Sequence, residues 1–316
     1  MNLAESKSSF ANRDGVFAKP ILFGDLWHDL LSGRLSSRAL GHVFYCGVLI
    51  IAAYQCVTLT VDPIAGEKVI NSSLLGLVVG GENISCLGAS VVLRLVASGM
   101  LLMATVVRKP WTVTAATALF GLVMSSMVET HYFVRHQSNI VLVSLIVLTM
   151  VSWFDRRKHP LPTWAAMAIL FVLTVGYTHS GLAKLQHSGF AWADGGSLVF
   201  WLSELTPYKD AWWLQPAFEY PLIATMGQAI VLAAELLAVG AFFIPRLRPW
   251  VGLILVGFHL SIEYLMGLQF YGNIFIDAFV LILCQRCPRY RVSGHRWLWR
   301  WLMFSRISKS QRIAPV

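Results

Sequence analysis

The feature that most constrains this chain is a series of long apolar segments that runs from residue 39 to residue 285. Crossing the hydrocarbon of a bilayer as a helix takes about 20 mainly apolar residues. Eight stretches meet that requirement: 39–61, 84–107, 111–134, 138–154, 162–186, 221–245, 249–268 and 270–285. The expected fold is an all-α polytopic membrane protein with about eight transmembrane helices plus interfacial helices. Composition agrees, since 56% of the 316 residues are hydrophobic, 13% are charged and the mean hydropathy is +0.63. Soluble domains carry nearer a quarter charged residues, so a water-soluble α/β enzyme is excluded.

Three parts follow from the pattern. Residues 1–37 form a cytoplasmic N-terminal segment, in which 21–31 sets apolar residues at helical spacing around Asp25, His28 and Asp29. Such a stretch is expected to lie as an amphipathic helix on the membrane surface. Residues 38–285 form the transmembrane domain, and 286–316 a basic cytoplasmic tail. The first 19 residues have no apolar core, so a cleavable signal peptide is not expected and the first span acts as a signal anchor. Between the fifth and sixth stretches, 195–220 is amphipathic and carries Trp201, Trp212 and Trp213, which suits an interfacial hairpin or cap. A tight turn within 267–272 has to join the last two spans.

The net charge of +9 is not a nucleic-acid footprint, because the basic residues sit in short loops and in the tail. With the N-terminus inside, the cytoplasmic pieces hold Lys7, Arg13, Lys19, Arg34, Arg38, Arg108, Lys109, Arg156, Arg157, Lys158, Arg246, Arg248 and the tail. The opposite side receives only Lys68, Arg135, Lys184 and Lys209, with Arg94 left inside the second span. Cytoplasmic loops collect Lys and Arg, so both termini are expected in the cytoplasm.

In that topology the ionisable residues gather in the extracytoplasmic half. Glu129, His131, Arg135 and His136 end the third span, and Asn139 opens the fourth. Tyr177, His179 and Lys184 end the fifth; His259 and Glu263 lie in the seventh; Asn273 and Asp277 begin the eighth; Arg94 lies in the outer half of the second. Ionisable groups at membrane depth are costly and mark function. His259 and Glu263 share a helix face, as do Asn273 and Asp277, and Tyr177 lies two turns from Lys184 on one face. A desolvated Lys184 is expected to offer a neutral amine as a base. Simpler readings stand beside these: Lys184 snorkelling to headgroups, His131 and Arg135 as interfacial residues, His259 with Glu263 as an interhelical pair, and Glu235 pairing with Arg94. No metal site is expected, because the histidines lack ligand spacing. Cys284 and Cys287 form a CxxC read as structural, and a Cys56–Cys86 disulfide is left open.

Three segments also carry a resemblance. The run Tyr177-Thr-His-Ser-Gly-Leu-Ala-Lys184-Leu, then Trp192-Ala-Asp-Gly195 and Phe200-Trp-Leu, resembles the central motif of the HTTM family. That family shares its membrane domain with the vitamin K-dependent γ-glutamyl carboxylase. Phe258-His259-Leu and Gly267-Leu-Gln-Phe-Tyr-Gly-Asn273 are similar to its His-bearing helix and following turn, and His136-Gln-Ser-Asn139 to a helix start. Together they cover about 130–285, within an HTTM-like domain of 38–285. The resemblance implies Lys184 as the base acting on an isoprenoid quinol, with His136 and His259 as its catalytic partners. Arg94, Glu129, Asn139, Tyr177, His179, Glu263, Asn273 and Asp277 are the expected substrate- or cofactor-binding residues. The Tyr-x-His before the lysine and the Trp-Ala-Asp-Gly after it look closest to short bacterial members that mature a sporulation-delaying peptide toxin. Two departures remain: no large domain follows the helices, and no Asn precedes His136. Glutamate carboxylation is therefore not carried over.

The expected function is an intramembrane enzyme of the bacterial inner membrane, modifying or maturing an exported peptide with a quinol as co-substrate. Its partners would be membrane lipid, the peptide and a small accessory protein, and no nucleic acid. Two alternatives stay open: a quinone-linked oxidoreductase subunit resembling the DoxX group, or a non-catalytic immunity, export or scaffold protein.

Overall fold

A computed structural model of the chain describes residues 36–58, 90–130, 138–155, 161–205, 215–266 and 269–299. Among the described residues all regular structure is helical. The helices are α1 (Ser37–Thr58), α2 (Val91–Val107), α3 (Pro110–Thr130), α4 (Asn139–Phe154), α5 (Thr163–Ser188), α6 (Gly196–Leu205), α7 (Gln215–Glu219), α8 (Pro221–Phe243), α9 (Arg248–Met266) and α10 (Tyr271–Asp277). Each of the eight apolar stretches is thus a helix over most of its length.

Among the described residues three helical segments are long and apolar enough to cross a membrane: Ser37–Thr58, Thr163–Ala193 and Pro221–Phe243. Shorter apolar helices occupy Val91–Val107, Pro110–Ser125, Asn139–Phe154 and Tyr271–Gln285. At about 1.5 Å per residue, a 17-residue helix such as α2 spans roughly 25 Å, a little short of the bilayer hydrocarbon. α9 reaches 19 residues but carries Arg248, His259 and Glu263 along its length.

Successive helices pack side by side, α1 on α2, α2 on α3, α3 on α4, α8 on α9 and α9 on α10, and the strongest long-range seam joins α5 to α8. α1 lies inside the bundle against α2, α4 and α10. Its buried Phe44 meets Phe279 at 4.8 Å and Phe275 at 6.1 Å between ring centroids, and Leu49, Leu101, Phe120 and Leu145 extend the same core. The outward faces remain apolar: Val92, Val106, Leu222 and Trp250 are all exposed. A bundle with an apolar interior and an apolar surface is built for lipid.

The last stretch is not the uniform helix that its sequence implies. α10 is α-helical only to Asp277, then winds as a π-helix over Ala278–Ile282 and tightens to 3-10 over Leu283–Arg286. Single π turns of this kind concentrate at functional sites.

One end of the bundle is locked by Arg248, which is fully buried. Its Nε donates to the Ala241 carbonyl at 3.0 Å, and Nη2 donates to Phe242 at 3.0 Å and Val292 at 2.7 Å. Its Nη1 reaches the Tyr290 carbonyl at 3.2 Å and Gln285 Oε1 at 3.4 Å. The guanidinium therefore caps the open carbonyls at the C-terminus of α8 and ties the tail to it. In the topology count Arg248 stands as a loop charge, but its position is internal and structural. Tyr290 Oη, at the same end, donates to the Leu161 carbonyl at 2.7 Å, and burial pushes its phenol above the ordinary range.

The expected surface helix at 21–31, the indoles of Trp201, Trp212 and Trp213, the turn at 267–268 and the tail beyond 299 lie outside the described residues or side chains. Of the expected cap at 195–220, α6 and α7 are described, and α6 packs on α8 and α9. Cys56 is a buried free thiol, Cys86 is outside the described residues, and Cys284 and Cys287 are buried free thiols.

Candidate functional site

The site begins on α5, whose lower turns are apolar and whose upper turns present Tyr177, Thr178, Ser180, Gly181 and Lys184. Tyr177, Ser180, Gly181 and Lys184 recur at three-, four- and seven-residue intervals, so they form one stripe along the helix. That stripe faces α8. The two helices touch at Gly181, where a Cβ would stand 3.1 Å from Glu235 Cβ and 3.2 Å from a Leu236 methyl. Any larger residue there would separate the helices and pull Glu235 from its partners.

Glu235 is 3% exposed and Lys184 is 21% exposed. Lys184 Nζ lies 2.6 Å from both carboxylate oxygens, and Ser180 Oγ donates to Oε1 at 3.3 Å. The pairing of Glu235 with Arg94 drawn from sequence is corrected here, and so is the picture of Lys184 as a lone desolvated amine. The counter-ion of Glu235 comes from α5, because Gly181 brings the two backbones close enough for Lys184 to reach it.

Thr178 modifies α8 at the same level. Its Oγ1 accepts from the Val239 N–H at 3.0 Å and donates to the Glu235 carbonyl at 3.1 Å. The hydroxyl therefore ties α5 to the α8 backbone at the residue that holds Lys184.

The Lys184 ammonium is covered by two rings, Trp192 at 4.4 Å and Phe258 at 5.7 Å from the centroids. Trp192 is brought there by a 3-10 turn over Gly189–Ala193. Asp194 ends that turn by accepting from the Gly196 N–H at 2.8 Å, which starts α6. Gly195 has φ +90°, and a Cβ on it would meet the Thr225 nitrogen at 2.9 Å. Only glycine suits both that backbone conformation and that approach to α8. The Trp-Ala-Asp-Gly segment is thus a device for laying an indole over Lys184.

A second group adjoins on the same stripe. Tyr177 Oη donates to Asp277 Oδ2 at 2.7 Å. His259 Nδ1 contacts the same Asp277 oxygen at 3.1 Å, with Asp277 fully buried and His259 3% exposed. The imidazole stacks on Phe270 with centroids 5.0 Å apart and planes 11° from parallel. Phe258, next to His259 in the chain, is the ring over Lys184, so the two groups form one site built from α5, α8, α9 and α10.

Of the residues expected from sequence, Lys184, Tyr177, His259, Asn273 and Asp277 come together. Glu263 lies one turn from His259 on α9, with Oε2 buried and without a hydrogen-bond partner among the described residues. His179 is exposed and sits about 200° around α5 from Tyr177, on the other side of the helix. Asn139 is exposed at the start of α4. Arg94 caps α1, its Nε donating to the Cys56 carbonyl at 2.7 Å and Nη2 to Val57 at 2.6 Å. His136 lies outside the described residues, as does the side chain of Glu129. Thr178, Ser180, Trp192 and Phe258 join the site without being among the expected site residues, although Trp192 and Phe258 open two of the segments that carry the resemblance. For Ser180 a signal exists in the spacing of the α5 stripe. Among the described residues no group of three His, Cys, Asp or Glu side chains is placed to hold a metal ion.

No protein-family model, curated protein or solved structure matches this chain.

Proposed function

We propose that the chain is an eight-span enzyme of the bacterial inner membrane, with both termini cytoplasmic and a proton-transfer site in its extracytoplasmic half. Its reaction is the maturation of an exported peptide, with an isoprenoid quinol as co-substrate and the HTTM membrane enzymes as the nearest analogy. The observation that carries this reading is the Lys184–Glu235 pair, a partly accessible amine held at 2.6 Å by a buried carboxylate beneath two aromatic rings. A structural ion pair at membrane depth has no need of an accessible end, whereas a base must meet its substrate.

The pair works as a base in two proton movements. The ammonium passes one proton to Glu235, leaving a neutral amine and a neutral acid. The amine would then be free to accept a proton from the hydroxyl of a quinol held against the two rings, and the ammonium would be restored. The rings of Trp192 and Phe258 exclude water and offer flat surfaces, and His259, oriented by Asp277 and Tyr177, is placed to bind or relay a second proton. The test compares peptides exported by cells with and without the chain, by mass, and assays the purified protein for bound quinone. A processed or mass-shifted peptide that depends on the chain is expected. Identical exported peptides with no quinone bound would leave the gripping, non-catalytic alternative standing in its place.

A further inference from the structure

A feature of the α9/α10 seam is not used by the proton-transfer reading. α9 and α10 run antiparallel, since Gly252 of α9 lies against Leu281 while His259, further along α9, meets Asp277. One helical turn beyond that contact stands Glu263 on α9, and one turn before it on α10 stands Asn273. Glu263 and Asn273 therefore face each other across the seam, one turn outward of His259 and Asp277.

Each of these residues leaves a buried oxygen without a hydrogen-bond partner among the described residues: Glu263 Oε2, Asn273 Oδ1 and Asp277 Oδ1. Asn273 is 8% exposed and Asp277 0%, so water does not satisfy them from outside. The nearby nitrogen groups are committed elsewhere, Lys184 Nζ to Glu235 and His259 Nδ1 to the other Asp277 oxygen. Leaving such acceptors unpaired in an apolar surrounding costs several kcal/mol in general. The cost is removed by a guest that brings donors and positive charge. All three orphans are acceptors, so the guest is a donor only. A primary ammonium presents three N–H donors and no acceptor. A hard metal ion asks for about six or more oxygen ligands, more than this seam supplies.

We propose that the α9/α10 seam binds a primary ammonium group through Glu263, Asn273 and Asp277. Its source is an amine of the exported peptide, in which case the site rests on the peptide reading above, or the headgroup of an aminophospholipid. The ammonium's three N–H groups meet the three oxygens, and the chain or lipid that bears it extends outward along the seam.

The test uses the full chain in phosphatidylglycerol nanodiscs, with n-butylammonium as the probe and thermal unfolding as the readout. Butylammonium is expected to raise the unfolding temperature, while butyltrimethylammonium and sodium chloride at equal ionic strength leave it unchanged. Glu263→Gln removes one charge-assisted contact and is expected to weaken the apparent affinity about tenfold or more. Asn273→Leu, which replaces an orphan by an apolar group of similar size, should weaken it while preserving the fold. Competition by a short peptide with a free N-terminus, but not by its acetylated form, assigns the source to peptide. Loss of the butylammonium response in phosphatidylethanolamine discs assigns it to lipid. Equal effects of the quaternary amine, a sodium response, no amine response, an unchanged affinity in both variants, or competition from neither source would each overturn the proposal. Lys184→Arg is expected to keep the amine response while losing activity, so failure of this site and failure of the base are separable.

Discussion

Two regions of the bundle bury charge, and they treat it in opposite ways. At the end that carries the tail, Arg248 is fully buried and its guanidinium meets four backbone carbonyls and the Gln285 carboxamide. Further along the bundle Lys184 is paired yet partly accessible, and the nearby Glu263, Asn273 and Asp277 each keep an oxygen unpartnered among the described residues. A buried charge with every donor used is a fastening. A buried charge beside unused acceptors is an unfinished network, and such networks occur where something else has to bind. Buried charge thus makes a lock in one region and a receptive site in the other.

The largest expected effect comes from breaking the lock. Arg248→Met strands the carbonyls of Ala241, Phe242, Tyr290 and Val292, and should cost about 3–5 kcal/mol by analogy with other buried charges that lose a partner. Thermal unfolding in detergent should show a fall of many degrees, with activity per folded molecule unchanged. Arg248→Lys recovers part of this, because a point ammonium cannot fork to both ends of the cluster. An Arg248→Met protein as stable as the wild type would refute the fastening.

Next comes the Lys184–Glu235 pair. Glu235→Leu leaves a partly desolvated ammonium unpaired and should destabilise by about 2 kcal/mol, whereas Lys184→Met together with Glu235→Leu should be close to neutral. A coupling of more than about 1 kcal/mol in this cycle is expected. Additive effects would mean that the contact carries no energy.

The smallest effect sharpens the contrast. Thr178→Val removes the hydroxyl that accepts from the Val239 N–H and donates to the Glu235 carbonyl. Stability should fall by about 1 kcal/mol, since a side-chain tie between two helices is lost. Amide exchange at Val239 should quicken, and activity should fall because Glu235 shifts relative to Lys184. Unchanged exchange at Val239 would contradict the tie.

Much of this architecture is legible in the amino-acid sequence. The helical state of the long apolar stretches follows from their length, because a backbone surrounded by lipid has to satisfy its own hydrogen bonds. The gathering of Tyr177, His259, Asn273 and Asp277 follows from helical spacing combined with the positions of basic loops. Partners across helices are not legible in this way. Sequence grounds offer Arg94 as the partner of Glu235, and it is the close approach at Gly181 that gives it Lys184 instead. Arg248 looks like a loop charge because its neighbours Pro245, Arg246 and Pro249 look like a loop. The change of winding after Asp277 has no local signature, since Ala278–Ile282 is an ordinary apolar run.

The central claim is that Lys184 is a base held by Glu235 rather than half of a structural pair. Lys184→Arg tests it most directly, because arginine keeps the charge and the bidentate contact to Glu235 but has no accessible neutral form. The measurement is the mass of the exported peptides from cells carrying this variant, at expression and unfolding temperature matched to the wild type. Complete loss of peptide processing in a fully folded Lys184→Arg protein is the predicted result. Processing at near wild-type level by the same protein would contradict the account.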